Sequence, residues 1–172
     1  MYLYSMKDEI KYCSRQEGII GYGDSKIAKD ETNDCVVATI ASCFDITYDR
    51  AHSFCKDYFN RYNRQGTLAV PFKMNSFYIL GKHLNHKKVK PMGKKIVFGL
   101  TSQYTLDYEV KVKGLKKTRK MTVGTFIKQN PTGTFFMLVS GHAFTIKDGV
   151  VIGNYNDAKQ KKKHLKYAWQ VK

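Results

Sequence analysis

The sequence predicts an α+β domain, on three observations. Residues 34–62 carry apolar side chains at helical spacing, the last third alternates as strands around an Asp148-Gly149 hairpin signal, and no internal repeat interrupts the order. The lead-in, residues 1–31, is polar and aromatic, with Gly18, Gly21 and Gly23, and reads as extended or loop-like. Asn33 and Asp34 are good N-caps for a helix from about Asp34 to Phe44, whose core stripe is Val36, Val37, Ile40, Ala41 and Phe44. Thr47 caps a second helix, about Tyr48 to Tyr62, with a stripe of Ala51, Phe54, Cys55 and Tyr58, and Phe59 beside it. Gln65-Gly66-Thr67 ends that helix, and a third is expected around Lys73–Leu84. Residues 94–113 read as extended and Gly114–Lys120 as a lysine-rich turn. Thr122 caps a short helix, Val123–Gln129, that Asn130-Pro131 stops. Strands follow at Gly133–Val139, His142–Lys147 and Val150–Gly153, then a final basic strand within 158–172. The expected whole is one domain over 1–172, helices first and then an antiparallel sheet, with 82–120 as a lysine-rich insertion.

At 172 residues the chain is long enough to bury a core without staples. No apolar run approaches the roughly 20 residues of a membrane span, and Met1–Tyr4 leads directly into charged residues, so neither a membrane partner nor a signal peptide is expected and the cytoplasm is the expected compartment. The net charge is +16, and it is concentrated. Residues 82–120 hold twelve Lys and Arg against Asp107 and Glu109, and residues 158–172 hold six lysines and no acid. Lys87, Lys88, Lys116, Lys117, Arg119, Lys161, Lys162 and Lys163 are therefore the candidate contacts for a polyanion, nucleic acid or an acidic protein. The preponderance of lysine over arginine argues against a base-reading site.

Four cysteines, Cys13, Cys35, Cys43 and Cys55, form no C-x-x-C pair and no zinc spacing, and Gly21-Tyr22-Gly23 lacks the rest of a phosphate loop. No metal or cofactor is expected. Cys43 and Cys55 fall on apolar helix faces and read as core. Cys35 falls in the first turn of a helix, where unpaired N–H groups and the dipole favour a thiolate. A thiolate nucleophile needs a base, and His142, after Ser140-Gly141 at a strand start, has the setting that His52, His83, His86 and His164 lack. The hairpin at Asp148-Gly149 brings the end of the next strand back to the level of His142. Asn154 is then the expected residue to orient the imidazole, with Asp157 the alternative.

Asn33-Asp34-Cys35-Val36-Val37-x-x-Ile40-Ala41, Gly133-Thr134-Phe135 and Ser140-Gly141-His142-Ala143-Phe144-x-Ile146-x-Asp148-Gly149-Val150-Val151 together resemble the papain-like cysteine-peptidase fold. The nearest likeness is to its compact versions among bacteriophage proteins. The resemblance covers Thr32–Phe44 and Thr122–Asp157. It implies Cys35 as nucleophile, His142 as base and Asn154 as orienter. The family places a glutamine shortly before the cysteine as oxyanion donor. Here Lys29, Asp30 and Glu31 stand in that stretch, which leaves Asn33 or Thr32 as side-chain donors beside the Cys35 N–H.

The reading is a cysteine hydrolase, peptidase or deamidase, acting on a host or virion protein, in the host cytoplasm if phage-encoded; a transferase through the same acyl-enzyme is a weaker variant. The alternative is a non-catalytic binding protein on the same fold, whose lysine-rich face holds nucleic acid or an acidic host protein. The sequence implies no particular oligomeric state.

Overall fold

A computed structural model describes residues 10–67, 81–153 and 155–172, without the side chains of residues 101, 155 and 158. The elements in chain order are β1 (Tyr12–Ser14), α1 (Arg15–Gly18), α2 (Lys26–Asp30), α3 (Cys35–Phe44), α4 (Tyr48–Phe59), β2 (Val89–Pro91), β3 (Lys94–Phe98), β4 (Thr101–Thr105), β5 (Tyr108–Val112), β6 (Leu115–Arg119), α5 (Val123–Gln129), β7 (Thr134–Val139), β8 (His142–Lys147), β9 (Val150–Gly153), α6 (Tyr155–Ala158), a 3-10 turn (Lys159–Lys162) and β10 (Tyr167–Val171). The α+β class holds, with the N-terminal helices packed on a six-stranded sheet ordered β1-β9-β8-β7-β10-β2.

That sheet is mixed, which corrects the expected antiparallel one. β1 pairs parallel to β9, Tyr12 against Val151, while the other neighbours are antiparallel. The lead-in is also more ordered than expected, with a strand and two short helices. Ser14 and Glu17 form a reciprocal capping box, and Ser25 caps α2.

Period-two alternation sends β7 and β8 into two cores. Phe136 and Ala143 face α3 and α4, joining Val36, Val37, Ile40, Phe44, Tyr48 and Trp169. Phe135, Met137, Phe144 and Ile146 face the other way, onto Val123, Phe126, Val151 and Leu165. Both faces of these strands are covered, so their apolar runs are nearly continuous.

Helix α3 lies against β8 and is buried from Val36 to Phe44. Its polar residues meet the strand at one point. The Thr145 hydroxyl donates to the Thr39 carbonyl at 3.2 Å, is hydrogen-bonded to Ser42 Oγ at 2.5 Å and lies 3.2 Å from Cys43 Sγ. Helix α4 keeps the expected Thr47 cap but stops at Phe59, where Asn60 adopts the left-handed conformation. In that last turn Phe59 is buried and Tyr58 is 54% exposed, stacked on Phe54 at 4.4 Å, so Phe59 replaces Tyr58 in the stripe. Gln65-Gly66-Thr67 is therefore not the terminator. The expected helix Lys73–Leu84 lies mostly outside the described residues; Gly81–His83 are helical.

Residues 94–120 form two hairpins rather than one extended run and a turn. β3 and β4 turn at Gly99-Leu100, and β5 and β6 turn at Lys113-Gly114, with positive φ at Gly99, Lys113 and Gly114. The sheet order includes neither hairpin. The C-terminal segment is a strand only over Tyr167–Val171, because Lys159–Lys162 is a 3-10 turn.

A second polar knot ties α2 to the end of α4. Buried Glu31 accepts from Arg61 Nη2 at 2.6 Å, engages His52 Nε2 at 2.9 Å and accepts the Arg64 N–H at 3.1 Å. Burial opposes ionisation of Glu31, but these donors outweigh it and hold its pKa down at about 2. A depressed carboxylate stabilises the fold above its unfolded pKa and loses that contribution as pH falls through the folded one. Glu31→Gln is expected to flatten the acid limb of the pH–stability curve between about pH 4.5 and 2, removing on the order of 3 kcal/mol near neutrality; urea midpoints across that range measure it. Thr145→Val keeps the volume and deletes the contacts to α3. It is expected to cost roughly 1–2 kcal/mol, read as a lower denaturation midpoint at unchanged slope.

Candidate functional site

Cys35 is the first residue of α3. The turn before it is made by Asn33, at φ +55, a left-handed conformation that Asn tolerates. Asp34 occupies the N-cap position but makes no side-chain cap bond. Its carboxylate is drawn aside by stronger partners, Arg15 Nη1 at 2.8 Å and the Tyr48 hydroxyl at 2.7 Å. The helix N-terminus thus stays open, and the negative charge beside the thiol is paired.

His142 opens β8 immediately after the Ser140-Gly141 turn, where Gly141 holds φ +71. Its ring stacks near Phe144, with centroids 6.0 Å apart. Nε2 meets Asp157 Oδ1 at 2.5 Å. That leaves Nδ1 as the ring nitrogen free for Cys35, whose thiolate is favoured by His142 and by the backbone N–H of Ala143.

The expected site residues fall out as follows. Cys35, His142 and Asp157 come together. Asn154 lies outside the described residues, and Asp157 occupies the orienting position. Asn33 Nδ2 donates to the Arg64 carbonyl at 3.4 Å and Thr32 Oγ1 to the same oxygen at 3.5 Å, so both side chains brace the loop after α4. Among the polyanion candidates, Lys87 Nζ pairs with Asp45 at 2.8 Å, and Lys116 approaches Glu109 at 3.6 Å. The Lys161 stem lies over Gly124, where an added Cβ would meet its Cγ at 2.7 Å. Lys88, Lys117, Arg119, Lys162 and Lys163 are exposed. Among the described residues no group of three or more His, Cys, Asp or Glu gathers as a metal site, and no helix is long and apolar enough to cross a membrane.

The electrostatics of the three residues agree with their geometry. Asp157 first, then Cys35, holds the His142 proton on, and the pKa of His142 is raised to about 9 against the opposing effect of burial. Burial works against a Cys35 thiolate. It is outweighed by the bond from His142, the Ala143 N–H and the imidazolium charge, and the thiol falls below its ordinary value. The other cysteines shift the opposite way: burial pushes Cys43 and Cys55 up to about 12, and burial and Glu17 raise Cys13. Cys35 and His142 therefore favour a thiolate–imidazolium pair.

Three further residues shape this site without a signal in the sequence. Ala143 contributes a backbone N–H, which no residue type announces. Arg15 reaches Asp34 across 19 positions from a four-residue helix too short to show periodicity. Gly153, the last residue of β9, makes room for the orienting carboxylate: a Cβ there would lie 2.1 Å from Asp157 Oδ2.

No family model, curated protein or solved structure matches the chain.

Gly153 has an ordinary backbone conformation, so an added methyl acts on Asp157 rather than on the strand. Gly153→Ala is expected to shift the pH profile of Cys35 alkylation toward that of a free thiol. Asp157→Asn, which keeps an acceptor for Nε2 but removes the charge, is expected to move it the same way. Unchanged profiles in both variants would separate Asp157 from the thiol.

Proposed function

We propose that the chain is a papain-like cysteine hydrolase acting on an amide bond, as a peptidase or deamidase. The observation that carries it is the His142 Nε2–Asp157 bond together with the lowered pKa that His142 gives the Cys35 thiol, set at the N-terminus of a buried helix. The resemblance of the segments around Cys35 and His142 to that family supports the same reading.

The chemistry follows from the residues. The Cys35 thiolate attacks the substrate carbonyl carbon, and the carbonyl π electrons move to oxygen. The Cys35 N–H, at the open end of α3, is placed to donate to that oxyanion. As the tetrahedral species collapses, the imidazolium gives its proton to the departing amine or ammonia, leaving an acyl thioester on Cys35. Neutral His142 then takes a proton from water as the water attacks the thioester. Collapse releases the carboxylic acid, and the proton returns the site to its starting state. Asp157 fixes the ring through Nε2–H and balances the imidazolium charge. Asp34 would oppose the thiolate, and Arg15 and Tyr48 offset its charge.

The pair exists between the lowered pKa of Cys35 and the value near 9 at His142. Iodoacetamide is expected to alkylate Cys35 at lower pH than Cys13, Cys43 and Cys55, with site-resolved mass spectrometry as the readout. Hydrolysis of a peptide and amide library is expected to fall by roughly 10³-fold or more in Cys35→Ala and in His142→Ala. A Cys35 that reacts only with the profile of an ordinary thiol, near pH 8.5, overturns the hydrolase reading and favours the non-catalytic binding protein.

A further inference from the structure

The two hairpins differ from everything else in the fold. Their bases are anchored: Leu106 and Met121 are buried in the core that holds Phe126 and Phe135, and Gly93 lies so close to Thr105 that a Cβ would meet its carbonyl at 2.2 Å. Beyond the bases, neither hairpin joins the sheet, and among the described residues neither packs broadly on another element. A lone two-stranded hairpin is marginal in water, and these two nevertheless project large apolar side chains from their ends. Val97 is 64% exposed, Phe98 57% and Leu115 66%, and Leu100, in the Gly99-Leu100 turn, is fully exposed. At and behind these ends, Lys94, Lys95, Lys111, Lys113, Lys116, Lys117, Arg119 and Lys120 are all exposed, against the acids Asp107 and Glu109.

Exposed apolar side chains at the hairpin ends, set among lysines, fit an anionic lipid surface: the apolar residues enter the boundary of headgroups and acyl chains, and the cations rest among the phosphates. Aliphatic Val97, Leu100 and Leu115 gain from hydrocarbon and gain nothing from base stacking. The hairpin tyrosines that could stack, Tyr104 and Tyr108, are half-buried. Lysines suffice for headgroup phosphates, whereas base reading favours arginine. We infer that the two hairpins are a peripheral docking device for anionic phospholipid membranes. No membrane span is needed for this, and the inference does not rest on the hydrolase reading.

The test is cosedimentation of the full chain with phosphatidylglycerol–phosphatidylcholine vesicles, with phosphatidylcholine vesicles and duplex DNA in parallel. Binding is expected to the anionic vesicles alone and to weaken as salt rises. The double change Phe98→Ser with Leu100→Ser is expected to lower the apparent partition by about tenfold or more, since it removes the inserted apolar groups while leaving every lysine in place. Lys94→Gln with Lys95→Gln is expected to lower it as well. Both pairs are exposed, and an unchanged melting temperature confirms that the fold is retained. Leu100→Trp supplies a gain of signal: its emission is expected to shift to the blue on anionic vesicles and to be quenched by brominated lipid. No binding to anionic vesicles, binding unaffected by the serine substitutions, or duplex binding tighter than vesicle binding would each overturn the inference. Iodoacetamide labelling of Cys35 is unaffected by any of these outcomes, so the two readings fail separately.

Discussion

Everything at the candidate site depends on how helix α3 is seated on strand β8. Apolar packing by Val37, Ile40 and Phe44 presses the two together, but apolar contact alone permits sliding. The Thr145 hydroxyl removes that freedom. It meets the Thr39 carbonyl, Ser42 and Cys43 inside an otherwise apolar layer, where a mispaired polar group is costly. A slip by one residue on the strand would turn Thr145 to the opposite core and break these contacts at once. With the middle of the helix pinned, its first residue is held over the start of β8. That is why one thiol has its pKa lowered by both a side chain and a backbone N–H from adjacent residues, His142 and Ala143.

Charge is arranged around this seat with equal economy. Asp30, Glu31 and Asp34 sit just before Cys35 in sequence, and the charge of Asp34 disfavours a thiolate there. Glu31 is committed to Arg61, His52 and the backbone of Arg64. Asp34 is committed to Arg15 and Tyr48, and its detachment from the helix end leaves the first-turn N–H groups without a competing acceptor. A further carboxylate, Asp157, is buried against His142, where its charge favours the protonated ring. Acids of the same chemical type thus serve opposite ends of one hydrogen-bonded chain.

The legible parts of the fold were those written in local chemistry. Thr122 and Asn130-Pro131 bracket a helix of the expected length, Asp148-Gly149 turns the expected hairpin, and the apolar stripe of α3 is the buried one. Cys35 and His142 could be singled out because a helix start and a glycine turn mark their surroundings. The misreadings share a cause in missing periodicity. β6 is exposed on every residue and so carries no alternation, which made Leu115–Arg119 look like a turn. β1 is three residues long, and its parallel partner β9 lies near the other end of the chain. Tyr58 and Phe59 are adjacent and both aromatic, and the choice between them was decided by where the helix ended. Asp157, the alternative to Asn154, meets His142 from a short helix beyond the strand, past Gly153, which has no Cβ in its way.

The wide separation in sequence of the contacts around Thr145 has a temporal consequence. Ser42 and Thr145 are 103 positions apart, and β8 and the Asp157 turn lie in the last part of the chain. At a ribosomal pace of about 5–20 residues per second, the helix bearing Cys35 is made roughly 5–20 seconds before the strand bearing its imidazole. During that interval the thiol lacks the partners that lower its pKa, and it behaves as an ordinary cysteine. The nascent polypeptide therefore carries an ordinary thiol while it is most exposed, and a chain truncated before β8 keeps a Cys35 whose pKa was never lowered.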